Sequence, residues 1–290
     1  MRRGAAKRPR LRDGGRRGPD AALQPGRWHG RLDQSGQPGR QVRALPRVFL
    51  FDIDNTLLYT GGAGSLAMTQ AFEELFGVAD GFAHVEFSGM TDRFILQGGL
   101  DAHCIQGGCE THLERFTQRY YELLPDSLRE RKGHLMPGFP QLLQALSNND
   151  RARLGLATGN FKRAAMIKLD YYGLSKYFSG GGFGEESLHR GDLVRAAIER
   201  VANGAEPQDV FVIGDTPHDV ASALDNGVMA VGVATGNYSV EQLQASGAQV
   251  VFSDFADWRS AAAALLAEPL GNATHQVPAD EAWEPGARRS

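Results

Sequence analysis

Two carboxylates, two residues apart, come directly after a short apolar run. Asp52 and Asp54 follow residues 48–51, which suit a strand buried on both faces of a parallel sheet. Side chains two residues apart on extended backbone point the same way, so both acids would face one pocket. Carboxylates at such a strand end can bind a hard cation or transfer protons, whereas the simpler alternative is a capped turn before a helix.

A second polar group follows another apolar segment. Residues 154–158 predict a buried strand that ends in Thr158, and Gly159 and Asn160 lead into a helix predicted over 161–172. A hydroxyl beside backbone N–H groups at the start of a helix forms an anion site, although a Thr-Gly pair taken alone is more often a simple turn.

A further pair of acids follows the predicted strand 209–214. Asp215 stands at the end of that strand, and Asp219 lies one helical turn later. More strands are predicted over 228–234 and at 250–252, and their alternation with helices favours a parallel sheet with right-handed crossovers. The carboxyl ends of these strands meet at one edge, where open α/β sheets bind their ligands.

These groups together resemble a known family. The sequence Asp-Ile-Asp-Asn-Thr at 52–56 resembles the DxDxT signature of the haloacid dehalogenase-like (HAD) phosphohydrolases. Residues that match or are assigned to the family's three later motifs follow in order along the chain: Thr158, Arg190, and Asp215 with Asp219. The resemblance covers about residues 47–265 and implies an α/β fold, a Rossmann-like parallel sheet core with an inserted α-helical cap domain.

The resemblance also implies roles for the acids. Asp52 would be the nucleophile that forms an aspartyl-phosphate. Asp54 would protonate the leaving oxygen and then deprotonate water, a role that a neighbouring carboxylate favours by raising its pKa. Mg²⁺ is the implied cofactor, because the negative charges of carboxylate and phosphate must be offset. Its expected ligands are Asp52, the backbone carbonyl of Asp54, Asp215 and, directly or in support, Asp219.

Two residues depart from the family pattern. Arg190 stands where Lys is usual, but it keeps the positive charge and offers a bidentate fork to a phosphate. Lys176 and Arg195 are alternatives for this position. Asn55 stands where Gly is commoner, and Asn tolerates the left-handed conformation that Gly would supply. The predicted phosphate-binding residues are therefore Thr158, Gly159, Asn160 and Arg190.

The segment 61–135 is the expected cap. Its predicted helices cover 65–76, a stretch that ends at Leu100, and about 110–124 before Pro125, and no strand pattern is seen within it. A helical insertion directly after the first strand resembles the lid that the family places over its catalytic carboxylates.

Residues 89–93 resemble the part of the family's cap that faces the active site. Thr91 and Arg93 are therefore expected to contact the substrate. The alternative is that Thr91 caps a helix whose first turn carries Asp92, a common arrangement of these residue types.

The charge of the chain is distributed unevenly. Residues 1–47 hold 13 Lys and Arg against three acids, whereas 48–290 hold 18 against 31. We predict a disordered basic leader over 1–46, a core formed by 47–60 and 136–268, and a loose tail over 269–290. The leader is interpreted as an extension outside the functional domain, and a nucleic-acid-binding arm or a transit peptide are the alternatives.

Composition bears on the cellular location and the partners that are expected for the protein. No run of about 18 apolar residues occurs, so no transmembrane helix and no membrane partner are predicted. Cys104 and Cys109 match no usual zinc or redox motif and form no disulfide framework, which favours a cytoplasmic protein. The basic leader is the sole feature that suits nucleic acid, and we expect no nucleic-acid partner.

The sequence therefore predicts an Mg²⁺-dependent phosphatase for a small phosphorylated metabolite. Sugar phosphates, phosphoglycolate-like acids and nucleotides all remain open as substrates. A phosphosugar mutase that uses the same nucleophile is one alternative, because water exclusion by the cap would decide between the two reactions. A non-catalytic binding protein with the same fold is another.

Overall fold

The computed structural model describes residues 46–267. The predicted leader, apart from its last residue Pro46, and the predicted tail lie outside the described residues. Within this range the strands are β1 (Arg47–Phe51), β2 (Leu58–Tyr59), β3 (His134–Leu135), β4 (Ala152–Ala157), β5 (Gly181–Gly182), β6 (Val210–Gly214), β7 (Met229–Val233) and β8 (Val250–Phe252). The α-helices are α1 (Ala63–Phe76), α2 (Asp92–Ala102), α3 (Gly108–Glu130), α4 (Gln141–Ser147), α5 (Lys162–Tyr171), α6 (Arg190–Val201), α7 (Pro217–Asp225), α8 (Val240–Ala245) and α9 (Trp258–Leu266).

Strand β1 lies in the middle of a six-stranded sheet with the order β5-β4-β1-β6-β7-β8, in which all neighbours are parallel. Alternate residues of β1 face opposite layers. Phe49 and Phe51 pack with residues of α4 and α9, whereas Val48 and Leu50 pack with residues of α6 and α7. Because helices cover both faces, every residue of β1 is buried, and the predicted Rossmann-like α/β fold is confirmed.

A two-stranded antiparallel ladder flanks the helices α1 to α3. Leu58 pairs with Leu135, and Tyr59 pairs with His134. The prediction that 61–135 contains no strand is therefore wrong at its end. A two-residue strand is too short to show alternation in the sequence, and it forms only because its partner is present.

Helix α3 continues past Pro125 to Glu130, whereas the sequence predicts an end at Leu124. A proline inside a helix removes one backbone hydrogen bond and usually ends or kinks the helix. Here Leu124, Ser127 and Leu128 share one face and are all buried. Their packing offsets the lost hydrogen bond.

Strand β5 lies within a segment that the sequence predicts as a Gly-rich loop, 180–187. It forms an edge strand with Gly181 opposite Leu156 of β4. A Cβ on Gly182 would overlap the backbone carbonyl of Leu193. Glycine therefore permits the close approach of this edge to α6.

Helices α1 to α3 form a helical insertion with an apolar cluster that includes Phe72, Phe116 and Tyr120. Phe161 and Ala164, at the start of α5, belong to the same cluster. Helix α5 thus packs against both the insertion and the sheet, and it links the two. None of the helices within residues 46–267 has the length and apolar character needed to cross a membrane.

Candidate active site

Three neighbouring strands end at one edge of the sheet, and each is followed by polar residues. Asp52 follows β1 directly, Thr158 follows β4, and Asp215 follows β6. All three side chains are buried. This carboxyl edge of the sheet is where parallel α/β folds bind ligands, so the structure brings the predicted motifs together at a position suited to a site.

Three buried carboxylates converge at this edge. Asp52, Asp215 and Asp219 each offer an oxygen, and these oxygens lie within 4.8 Å of one another. Burial, and then the charges of Asp219 and Asp52, raise the pKa of Asp215 to about 8. Burial also raises the pKa of Asp52 to about 6, against the opposing charge of Arg190. Buried oxygens with excess negative charge fit a hard divalent cation such as Mg²⁺, and the Asp54 carboxylate lies outside this group.

Asp219 is held by the turn that leads into α7. Its Oδ2 accepts hydrogen bonds from the backbone N–H of Thr216 at 3.1 Å and from the Thr216 hydroxyl at 2.7 Å. Thr56, the last residue of the DxDxT segment, donates to Asp215 Oδ1 at 3.3 Å. These contacts fix the orientation of two of the converging carboxylates.

Arg190 is the first residue of α6, and its guanidinium enters the acidic cluster. Nη2 lies 2.9 Å from Asp52 Oδ1 and 2.6 Å from Asp219 Oδ1, and Nη1 donates to the carbonyl of Gly89 at 3.2 Å. Burial acts to lower the pKa of Arg190, but the two carboxylates outweigh this effect and raise it. Arg190 therefore stays charged and sets a permanent cation beside Asp52.

The two alternatives to Arg190 lie elsewhere. Arg195 forms an ion pair with Asp192 on the surface of α6. The ammonium of Lys176 lies over the ring of Tyr177. Of Lys176, Arg190 and Arg195, only Arg190 lines the cavity.

Asp54 contacts a lysine that sequence reasoning missed. The ammonium of Lys168 lies 2.6 Å and 2.9 Å from the two carboxylate oxygens of Asp54, and it donates to Asn160 Oδ1 at 2.6 Å. Asn160 Nδ2 in turn donates to Asp54 Oδ2 at 2.7 Å and to the Thr158 hydroxyl at 2.9 Å. The surroundings of Asp54 therefore include a buried cation, whereas the sequence predicts a neighbouring carboxylate.

A signal for Lys168 was present in the sequence. Helix α5 buries Ala164, Ala165, Lys168 and Leu169 on one face, at helical spacing. A lysine on an otherwise apolar face is seldom buried without a partner. The pattern indicates a buried cation, but it does not identify Asp54 as the partner.

Thr91 and Arg93, which the sequence predicts to contact substrate, are not among the residues that line the cavity. Thr91 caps α2 and accepts a hydrogen bond from the backbone N–H of Phe94 at 3.1 Å, as in the alternative interpretation. Arg93 forms an ion pair with Glu110 and donates to the carbonyl of Glu185 at 2.9 Å. Although neighbouring residues in the sequence line the cavity, the side chains of Thr91 and Arg93 do not.

The cavity has a volume of about 430 Å³ and lies between the sheet edge and the insertion. Met68, Phe87 and Tyr120 contribute to its insertion side. Gly159 also lines it, and a Cβ there would overlap the carbonyl of Met90. The lack of a side chain at Gly159 therefore lets the segment before α2 lie directly on the turn after β4.

Comparison with known proteins agrees with this arrangement. A family model described as haloacid dehalogenase-like hydrolase matches residues 46–227. A phosphoglycolate phosphatase of Rhodospirillum rubrum is 28% identical over 74% of this chain and 91% of its own length. A probable phosphatase, IndB, of Dickeya dadantii is 30% identical over 48% of this chain and 60% of its own length. A solved hydrolase from Pseudomonas syringae has a TM-score of 0.57 at 23% identity, and the match covers 74% of this chain and 96% of that one.

The family match spans well over half of the chain and includes the first β-strand, the helical insertion and all four motif positions. The chain belongs to the haloacid dehalogenase-like hydrolase family. It is therefore an enzyme of the hydrolase class.

Proposed function

We propose that this chain is an Mg²⁺-dependent phosphatase that hydrolyses a small phosphomonoester through an aspartyl-phosphate on Asp52. The observation that carries the proposal is the position of Asp52, which is buried at the sheet edge with Arg190 at 2.9 Å and lines a cavity together with Asp54 and Asp215. Residues 47–60 and 136–268 would form the catalytic core, and 61–135 the cap. The phosphatase names of two relatives support this reaction class.

In the first half of the proposed reaction, a carboxylate oxygen of Asp52 attacks the phosphorus. The bond between phosphorus and the ester oxygen breaks, and Asp54 gives its proton to that oxygen as the alcohol leaves. Arg190 offsets negative charge on the nucleophile and the phosphoryl group. Thr158, Gly159 and Asn160 lie at the turn into α5, where a hydroxyl and backbone N–H groups suit phosphate oxygens.

In the second half, Asp54 takes a proton from water as the water oxygen attacks the phosphorus of the aspartyl-phosphate. The bond to Asp52 breaks and inorganic phosphate leaves. Asp52 is then again a carboxylate, and Asp54 again carries a proton. Asp52, Asp215, the Asp54 carbonyl and, directly or in support, Asp219 would hold Mg²⁺. Bound Mg²⁺ supplies positive charge that offsets the carboxylates and the phosphate.

The test is phosphate release from a panel of phosphomonoesters, measured on the full chain with Mg²⁺ and after chelation. The panel should include p-nitrophenyl phosphate, sugar phosphates, 2-phosphoglycolate and nucleotides. We expect metal-dependent release from at least one small ester. No release from any ester by folded protein in the presence of Mg²⁺ would contradict the proposal and would favour sugar-phosphate isomerisation, the mutase reaction.

A further inference from the structure

Lys168 is a buried lysine whose ammonium reaches the candidate active site. Only 3% of the residue is exposed, yet it lines the cavity. It lies 114 residues from Asp54 in sequence, on a helix that carries none of the four motifs. A lysine is rarely buried to this extent without a specific partner, so its placement needs an explanation in terms of its contacts.

Three acceptor oxygens lie within hydrogen-bond distance of the Lys168 ammonium. Two are the carboxylate oxygens of Asp54, at 2.9 Å and 2.6 Å, and the third is Asn160 Oδ1 at 2.6 Å. An ammonium has three donors and no more. At least two of these donors are therefore directed at Asp54 and Asn160.

The packing around the ammonium restrains it further. Gly64 of α1 lies against it, since a Cβ at Gly64 would be 3.2 Å from Lys168 Nζ. The same Cβ would be 3.6 Å from the hydroxyl of Tyr120, which α3 contributes. Two helices of the insertion therefore close over the ion pair and limit the rotamers that Lys168 can adopt.

The orientation of Asp54 depends on this contact because its side chain is only partly buried. The side chain of Asp54 is 38% exposed, compared with 4% for that of Lys168. The Lys168 ammonium contacts both carboxylate oxygens of Asp54, and Asn160 Nδ2 donates to one of them. This arrangement fixes the direction in which the Asp54 side chain points.

We propose that Lys168 is a positioning residue for Asp54, and that it does not serve as a binding site for an anionic part of the substrate. The inference rests on the proposed function, since it assigns a role within that reaction. Its contribution should be largest in the second half, where the Asp54 carboxylate must be oriented toward water. Loss of Lys168 should therefore slow hydrolysis of the aspartyl-phosphate more than its formation.

The first test compares Lys168→Met with wild type, both as the full chain, using p-nitrophenyl phosphate and Mg²⁺. Nitrophenolate is a good leaving group that needs little protonation, so Asp52 should still be phosphorylated. We expect kcat to fall on the order of tenfold to a hundredfold with little rise in KM, as for a misoriented group. A burst of nitrophenolate and a phosphorylated protein detected by mass spectrometry should appear. Lys168→Arg should recover part of the rate, and Lys162→Met, at an exposed position of the same helix, should behave as wild type.

A second measurement separates positioning from substrate binding. 2-Hydroxyethyl phosphate has a neutral hydroxymethyl group where 2-phosphoglycolate has a carboxylate. If Lys168 serves Asp54, Lys168→Met should lower kcat for both esters by a similar factor, because both share the hydrolysis of the aspartyl-phosphate. A loss confined to 2-phosphoglycolate, or an unchanged kcat without phosphorylated protein, would overturn the inference.

Comparing wild type with Lys168→Met distinguishes failure of the inference from failure of the proposed function. An inactive wild-type protein would overturn the phosphatase proposal and the inference with it, whereas an active wild type with an unaffected Lys168→Met variant would overturn the inference alone. Circular dichroism melts show whether each variant folds. If Lys168→Met does not fold, Lys168→Gln, which keeps a donor without the charge, takes its place with the same expected results.

Discussion

The carboxylate of Asp92 accepts a hydrogen bond from the backbone N–H of Phe161 at 2.8 Å. In return, the backbone N–H of Asp92 donates to the carbonyl of Gly159 at 2.7 Å. These two bonds join the first residue of α2 to the turn that carries Thr158 and Asn160. The insertion is thereby fixed to the candidate phosphate site through a buried acid.

The stability of this junction should depend on pH. Burial raises the pKa of Asp92 from 3.8 to about 7, although the charge of Lys168 opposes the shift. Between these values the folded protein holds a proton that the unfolded chain has released, so the Asp92 contribution to the free energy of unfolding falls as pH rises. The slope is at most about 1.4 kcal/mol per pH unit.

Asp92→Asn tests this dependence, because the amide oxygen can still accept the Phe161 hydrogen bond but does not titrate in this range. Relative to wild type, the variant should become steadily more stable from about pH 4 to about pH 7. Urea unfolding across that range measures the difference. A difference that stays constant with pH would show that Asp92 titrates near its ordinary value in the folded protein.

The sequence predicts which residues meet at the carboxyl edge of the sheet, but it does not predict the contacts that these residues make with side chains from elsewhere in the fold. Asp52, Thr158 and Asp215 each follow an apolar strand, and parallel strands bring their carboxyl ends together whatever the details of packing. The partnership of Lys168 with Asp54 depends instead on how α5 sits against the insertion. That arrangement follows from tertiary packing, which a spacing rule does not contain.

Asp52→Asn is the most direct test of the nucleophile. The amide has nearly the same shape as the carboxylate but cannot form the acyl-phosphate, so turnover should fall by roughly a thousandfold or more. Asp170→Asn, at an exposed position on α5, is the matched control and should keep wild-type activity. Both variants should retain the cooperative thermal transition. Substantial phosphate release by folded Asp52→Asn protein would exclude Asp52 as the nucleophile.

Mg²⁺ should stabilise the folded protein through Asp215. A ligand that binds only the folded state at a hundred times its Kd contributes about 2.7 kcal/mol to the free energy of unfolding. We therefore expect Mg²⁺ to raise the thermal midpoint of wild type, and chelation to reverse the effect and abolish activity. In Asp215→Asn the shift should be largely lost. Equal Mg²⁺ affinity of the two proteins in titration calorimetry would rule out Asp215 as a ligand.

Arg190 should matter for stability as well as for catalysis, because it separates two buried carboxylates. Arg190→Met leaves Asp52 and Asp219 without their shared cation, and loss of one partner from a buried ion pair typically costs about 3 kcal/mol or more. Arg190→Lys keeps the charge and should be destabilised less. Arg195→Met removes an exposed ion pair of the same helix and should cost less than about 1 kcal/mol. Equal unfolding free energies for the two methionine variants, measured by urea denaturation without metal, would show that the Arg190 contacts do not stabilise the fold.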